Sequence, residues 1–179
     1  MILHIIDRLM CIRSADLLVA AIPDDTQNDI LERKLAEYPV QVFRGSELDV
    51  LDRYYQCARK YGMDHIVRAT GDNPFVDPEE ADFLIQAHIA GDFDYSCCFP
   101  EFGGKLPVGV GVEVFSFAAL ERSWREGTKS NHREHVNEYM QENASLFRVN
   151  FSSGSGKHQY PDIQMTIDTR EDLERLRNL

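Results

Sequence analysis

Two aspartates stand where a carboxylate can meet a ligand. Asp72 follows the apolar, β-branched run His65–Thr70 and the turn residue Gly71. Asp168 follows the apolar run Ile163–Ile167 and precedes a helical pattern. In open α/β sheets, ligands bind beyond the carboxyl ends of the strands. Two carboxylates at such an edge are a common seat for Mg²⁺. That ion takes one or two protein carboxylates and completes its octahedron with water and substrate phosphate. Each aspartate also has a plainer reading. Asp72 could cap its own turn through its side chain. Asp168 could N-cap the final helix, with Glu171 three residues on completing a capping box.

Basic and polar groups cluster in four further places. Arg44-Gly45-Ser46 follows a strand pattern, Arg68 lies on the run before Asp72, Lys105 sits in a glycine-rich stretch, and His132, Arg133 and His135 open a helical pattern. Protonated groups at a helix start would attract an anion. An arginine on a strand is ordinarily half-exposed or paired with a carboxylate, and Arg44 and Arg68 each carry that plainer reading. His132 and His135 are three apart and so share a helical face. No third ligand stands nearby, which argues against zinc. Gly109-Val110-Gly111 precedes a strand rather than opening a helix, so it is not a dinucleotide fingerprint. Glu113 follows in that strand and, taken alone, reads as a structural or exposed carboxylate.

The elements that must position these residues alternate in type. Residues 2–10 form an amphipathic helix with Ile2, Ile5, Ile6, Leu9 and Met10 on one face. Residues 17–22 read as a buried strand. Residues 26–37 read as a helix with Ile30, Leu31 and Leu35 inward. Residues 40–43 are a short strand, and Ser46 caps a helix that ends at Gly62. The strand 65–70 follows, placed at the centre of the sheet. Asp77 N-caps and Pro78 opens a helix closed by Gly91. Strands are expected over 94–99 and 112–115. The loop 100–111, with its glycines and prolines, reads as mobile. Ser116 caps the next helix, 131–142 reads as one helix, 146–151 and 163–167 as strands, and 170–179 as a closing helix. Alternation through residue 90 predicts parallel β-α units; the less regular second half predicts a mixed sheet. One domain over 1–179 is expected, with no repeat and no separating linker. The chain opens on a helix where such folds open on a strand, so a first β-loop unit is expected to be absent.

Composition narrows the class. The 179 residues suffice for one domain with a core. Lys+Arg 19 against Asp+Glu 30 gives a net charge of −11, which argues against a nucleic-acid surface but leaves a nucleotide open. Cys11, Cys57, Cys97 and Cys98 form no CxxC pair. With no secretory signal and no bilayer-length apolar run, reduced thiols in a cytoplasmic protein are expected, with no membrane partner.

Six segments, taken in order, resemble the cytidylyltransferase family that activates acidic sugars, in particular the spore-coat polysaccharide biosynthesis proteins, relatives of the acylneuraminate and Kdo cytidylyltransferases. They are Val42-Phe43-Arg44-Gly45-Ser46, Asp49 to Tyr55, Arg68-Ala-Thr-Gly-Asp-Asn-Pro74 with Asp77-Pro78, Val112 to Phe117, Arg133 to Val136, and Thr166 to Leu173. The resemblance covers nearly the whole chain. It implies a nucleotide-diphospho-sugar transferase (GT-A-like) α/β fold, a mixed, mostly parallel central sheet between helices. It implies Mg²⁺ held by Asp72 and Asp168, with CTP and a sugar as substrates and CMP-sugar and pyrophosphate as products. Arg44, Arg68 and Gly71 then fall to the nucleotide and its phosphates, and Gly109, Glu113, Arg133 and His135 to the sugar. A homodimer is expected. The family's opening strand and Arg-x-x-Ser-x-Arg-x-x-x-Lys triphosphate loop are absent, so weak CTP binding and impaired turnover are expected. The alternative is a non-catalytic sugar- or partner-binding module that retains the fold. A glycosyltransferase fits less well, because no compact Asp-x-Asp motif is present.

Overall fold

The computed structural model describes residues 1–177. In chain order the elements are α1 (Ile2–Leu9), β1 (Val19–Pro23), α2 (Asp29–Leu35), β2 (Gln41–Gly45), α3 (Val50–Tyr61), β3 (His65–Arg68), α4 (Pro78–Ala90), β4 (Tyr95–Cys97), β5 (Glu113–Ser116), α5 (Phe117–Glu126), α6 (Ser130–Glu134), α7 (Glu138–Glu142), β6 (Val149–Phe151) and α8 (Arg170–Leu176). The protein has a mixed α/β fold. β1 and β2 pair in parallel, and a four-stranded sheet runs in the order β3-β5-β4-β6. β3 therefore stands at the edge of that sheet, which corrects the central position expected of it. Alternating apolar residues announce a strand; they do not say which strand lies beside it.

The chain packs into two compact units. The first comprises residues 1–15, 67–114 and 150–179. Its core gathers Ile12, Val76, Ala81, Leu84, Ile85, Cys98, Leu106, Val112 and Val114, with Leu9, Val67 and Ala69 against it. Fully burying a Leu or Val side chain stabilises by roughly 1.5–3 kcal/mol, so this cluster is the unit's main source of stability. α1 buries Ile5 and Ile6, as its spacing requires. Arg8 and the backbone after α1 hold it in place: Arg8 Nε donates to the Val76 carbonyl at 2.7 Å, and the Ser14 amide to Asp82 at 2.7 Å. α4 starts as expected, with Asp77 accepting from the amides of Glu79 and Glu80 and Pro78 in its first turn.

The second unit comprises residues 16–66 and 115–149. β1 and β2 run alongside each other from Val19–Gln41 to Pro23–Gly45. Leu35 of α2 is fully buried, but Ile30 is 65% exposed, so the inward face expected of that helix shrinks. A three-residue 3-10 turn at Thr26–Asn28, capped by Asp25, precedes α2 and resets its phase. α3 is capped by Asp49, which accepts from Asp52 N, while Ser46 accepts from Asp49 N one step upstream. The cap expected at Ser46 is thus displaced by three residues. The single helix expected over 131–142 is two, because His135 adopts an extended backbone that ends α6.

Two expectations in the last third also change. Residues 163–167 form no strand of a sheet; the segment is held by one parallel bridge, Val108–Gln164, and by bonds from its backbone to Val108 and Asp72. α8 is capped by Thr169 with Asp172 in a reciprocal capping box, not by Asp168 with Glu171. The expected helix end at residues 178 and 179 lies outside the described residues.

Candidate active site: two Thr-x-Asp turns and a glycine between them

The first turn is Thr70-Gly71-Asp72, directly after β3. The Thr70 hydroxyl donates to the Asp72 carboxylate. The second is Thr166-Ile167-Asp168, where the Thr166 hydroxyl donates to Asp168 Oδ2 at 2.8 Å and Gln164 Nε2 reaches the same oxygen at 3.2 Å. One backbone bond joins the turns: the Ile167 amide donates to the Asp72 carbonyl at 2.9 Å. Residues adjacent in chain to the bonded pair are neighbours in space, so Asp72 and Asp168, far apart in sequence, come to one place in the first unit. The two plain readings fare differently. Asp168 caps no helix, and the Asp72 carboxylate accepts from the Thr70 hydroxyl of its own turn.

Gly109 lies between the turns. Its φ of +88° is in the left-handed region. A Cβ there would stand 2.9 Å from Thr166 Cγ2, 3.1 Å from Thr166 N and 3.2 Å from Asn73 Oδ1. Only a glycine permits both the backbone angle and the approach. Asn73 Oδ1 is itself buried without a hydrogen-bond donor. Beside it opens a small cleft lined by Arg68, Thr70, Asn73, Phe99, Gly111 and Glu113.

Glu113 is 1% exposed and accepts from Arg68 and from the Tyr95 hydroxyl. Burial first, and then the Glu113 charge, push the Tyr95 phenol far above its ordinary range, so it stays a donor. Arg68 thus presents a compensated charge to the cleft. Burial also pushes the Cys97 and Cys98 thiols up to about 11, which leaves them protonated and unreactive near neutral pH.

Arg44, Arg133 and His135 belong to the second unit. Arg44 is held by Asp24, Asp29 and Glu32 and by the Asp25 carbonyl; the hydrogen bonds of Asp29 and Glu32 raise its pKa. Arg133 grips Asp49 Oδ2 through Nε at 2.9 Å and Nη2 at 2.6 Å, and the Trp124 carbonyl through Nη1 at 2.9 Å. Both guanidinium groups serve the architecture of their unit, the plainer reading for Arg44. His132 is 3% exposed with Nε2 at 3.0 Å from Glu142, whereas His135 is exposed at the end of α6, so the two do not share a helical face. Gly71 is exposed in the first turn.

Thr70, Thr166, Asn73 and Gln164 carry the geometry and were not singled out by sequence reasoning. A signal existed: Thr-x-Asp occurs at both aspartates, and a threonine two residues before a carboxylate can reach it.

The family model for cytidylyltransferases matches residues 1–179. The chain belongs to the cytidylyltransferase family. Over 168 residues it is 36% identical to the spore coat polysaccharide biosynthesis protein SpsF of Bacillus subtilis, covering 93% of this chain and 68% of that protein. A solved cytidylyltransferase from Leptospira borgpetersenii superposes with a TM-score of 0.89 at 27% identity, over 98% of this chain and 73% of that one. A CMP:2-keto-3-deoxy-manno-octonic acid synthetase complexed with CTP shares the fold at a TM-score of 0.67 and 14% identity, over 99% and 86% of the two chains. The nucleotidyltransferase fold expected from sequence is therefore the fold of this cytidylyltransferase. No helix among the described residues is long and apolar enough to cross a membrane.

The family's use of a divalent metal can be tested against the residues present. No group of three or more His, Cys, Asp and Glu gathers among the described residues, which excludes an all-protein cage. Mg²⁺ does not need one, since it keeps waters and substrate phosphates around one or two carboxylates. Asp72 and Asp168 are hard oxygen donors whose recorded partners are uncharged hydroxyl and amide groups. That donor set fits magnesium.

Proposed function

We propose that this cytidylyltransferase transfers CMP from CTP to a hydroxyl of an acidic sugar, releasing pyrophosphate. The observation that carries the reading is the meeting of Asp72 and Asp168 through the Ile167–Asp72 backbone bond, with neutral donors around both. Whole-chain family membership and the likeness to SpsF support it.

The sugar hydroxyl oxygen forms a bond to the α-phosphorus in line with the departing group. The bond from that phosphorus to the bridging oxygen of the β-phosphate breaks, pyrophosphate leaves with the electron pair, and the hydroxyl proton passes to water. Such transfers depend on positioning and charge neutralisation rather than covalent help from the protein. Asp72 and Asp168 would hold Mg²⁺, which when bound supplies the positive charge facing the phosphates and acidifies the attacking hydroxyl. Thr70, Thr166 and Gln164 fix the carboxylate rotamers by hydrogen bonds. Gly109 keeps the two turns close. The cleft of Asn73, Phe99, Gly111 and Glu113 is where the sugar would lie, its hydroxyls donating to Asn73 Oδ1.

The test is pyrophosphate release from CTP and Mg²⁺ with a panel of 2-keto sugar acids and neutral sugars, run against ATP, GTP and UTP. Release that depends on CTP and on one sugar acid is expected. Absence of release with every nucleotide, alongside sugar binding by calorimetry, would favour a binding module that keeps the fold.

A further inference from the structure

Among the described residues, Arg53 of the second unit forms no ion pair with a carboxylate. Arg53, in the first turns of α3, is partly buried, and its Nη1 donates to the Ser46 carbonyl at 2.6 Å. Its Nε is buried without an acceptor. Burial pulls its pKa down, against weaker opposing pulls from Tyr54 and Glu47. Glu47 is exposed in the adjoining loop and forms no ion pair with it among the described residues. Arg44 and Arg133 of the same unit are both tied to carboxylates.

Two physical costs meet at Arg53. A cation near a helix N-terminus opposes the helix dipole. Partial burial removes water from a charge. Among the described residues the Ser46 carbonyl bonds one nitrogen, and no carboxylate pairs with the charge to offset either cost. The position is also built to hold the side chain: a Cβ on Gly45 would stand 3.0 Å from Arg53 Cγ and 3.1 Å from Phe43 Cε1. The arginine stem lies along the Gly45 backbone because residue 45 has no side chain.

We propose that Arg53, beside the Gly45–Glu47 loop, binds an oxyanion of a ligand. A guanidinium presents a planar fork of five donors, matched to two oxygens of a phosphate or carboxylate. Ser46 takes one of those donors through its carbonyl and leaves the fork's remaining donors for the ligand. That the oxyanion is a nucleotide phosphate rests on the function proposed above; the site itself does not.

The experiment is calorimetric titration of the full chain with inorganic pyrophosphate, CTP, cytidine and a 2-keto sugar acid, for the native protein and for Arg53→Ala, Arg53→Lys and Gly45→Ala. Arg59→Ala, an exposed charge in the last turn of the same helix, controls for loss of one positive charge. Thermal melts establish that each variant is folded; Gly45→Ala displaces the Arg53 stem while keeping the guanidinium, so it replaces Arg53→Ala should the latter not fold. Loss of the charge-assisted bonds should weaken binding about 10- to 100-fold in Arg53→Ala, less in Arg53→Lys, and leave Arg59→Ala unchanged. Weakening for CTP and pyrophosphate, with cytidine unaffected, assigns a nucleotide phosphate. Weakening for the sugar acid alone assigns the sugar carboxylate. Equal affinities for all anions in native protein and folded variants overturn the proposal, as does failure of the native protein to bind any of them. Weakened anion binding without pyrophosphate release in the assay above would remove the proposed reaction and keep the site. Release with an unchanged CTP KM in Arg53→Ala would do the reverse.

Discussion

The carboxylates of the two Thr-x-Asp turns and those around α6 and α7 are the same chemical group in opposite settings. Asp72 and Asp168 are held by hydroxyls and an amide. Glu142 is held by Lys129 at 2.6 Å, by His132 at 3.0 Å and by Asn131 at 2.9 Å, and Asp49 by Arg133. The first arrangement orients a charge and leaves it uncompensated. The second neutralises charge and ties one segment to another. Asp168 is exposed and Asp72 half-buried, so both carboxylates stay open to solvent, whereas Glu142 and Asp49 are taken up by cations of their own unit. The buried Arg68–Glu113 pair belongs with the second kind although it lines the cleft.

That division can be broken by substitution. The largest effect on stability is expected at Glu113. Its side chain is 2% exposed, and replacing it by alanine removes the buried carboxylate that the half-buried Arg68 and the Tyr95 hydroxyl both bond. Breaking a buried pair this way costs about 3–5 kcal/mol. Urea unfolding should show it; a loss under about 1 kcal/mol would mean that Arg68 and Glu113 do not act as a pair.

At Asp168 the expected pattern inverts. Asp168→Asn should leave the urea midpoint nearly unchanged and lower Mg²⁺-dependent transfer by about 10²–10³-fold, the scale of losing one group that meets developing charge. A large stability loss with unchanged turnover would reassign Asp168 to architecture. Asp72→Asn should behave alike, and the double variant should lose little more, because one ion depends on both.

A smaller effect is expected from Asp49→Ala, which removes the α3 cap and frees Arg133. The cap alone contributes about 0.5–2 kcal/mol. Asp49→Asn should recover the cap but not the ion pair, so the difference between the two variants isolates the pairing.

The smallest effect is a pH dependence. Hydrogen bonds from Lys129, then His132 and Asn131, hold the Glu142 carboxyl down to about 2. A depressed folded pKa stabilises above the unfolded value of about 4.3, and that contribution disappears as pH falls toward about 2. Glu142→Gln should therefore lower the urea midpoint above pH 5, where that contribution is present, flatten the pH dependence between those limits and match the native protein near pH 2. The measurement is the urea midpoint across pH 2–7.

Much of the chain was legible because local chemistry decided it. Asp77-Pro78 opens α4, Ser116 caps α5 and Gly62 follows α3, each through bonds made within a few residues. Caps failed where a competitor stood close by: Asp49 displaced Ser46, and Thr169 with Asp172 displaced Asp168. A helix pattern over 131–142 was read across His135, whose extended backbone no periodicity records. The paired aspartates were visible as strand-end carboxylates, but the threonines that hold them were missed.

By itself, then, the sequence determined most of the helices and strands, which side chains are apolar enough for a core, the acidic balance of −11 and the family. These follow from short-range sterics, hydrogen bonding and residue chemistry, which a linear string retains. Tertiary structure alone decided that β3 is an edge strand, that Ile167 bonds to Asp72, and that Arg44, Arg68 and Arg133 have carboxylate partners. It likewise decided that Arg53 has none among the described residues. Pairing between residues far apart in sequence depends on where the backbone carries them. Whether a charge is compensated is a property of its surroundings in space.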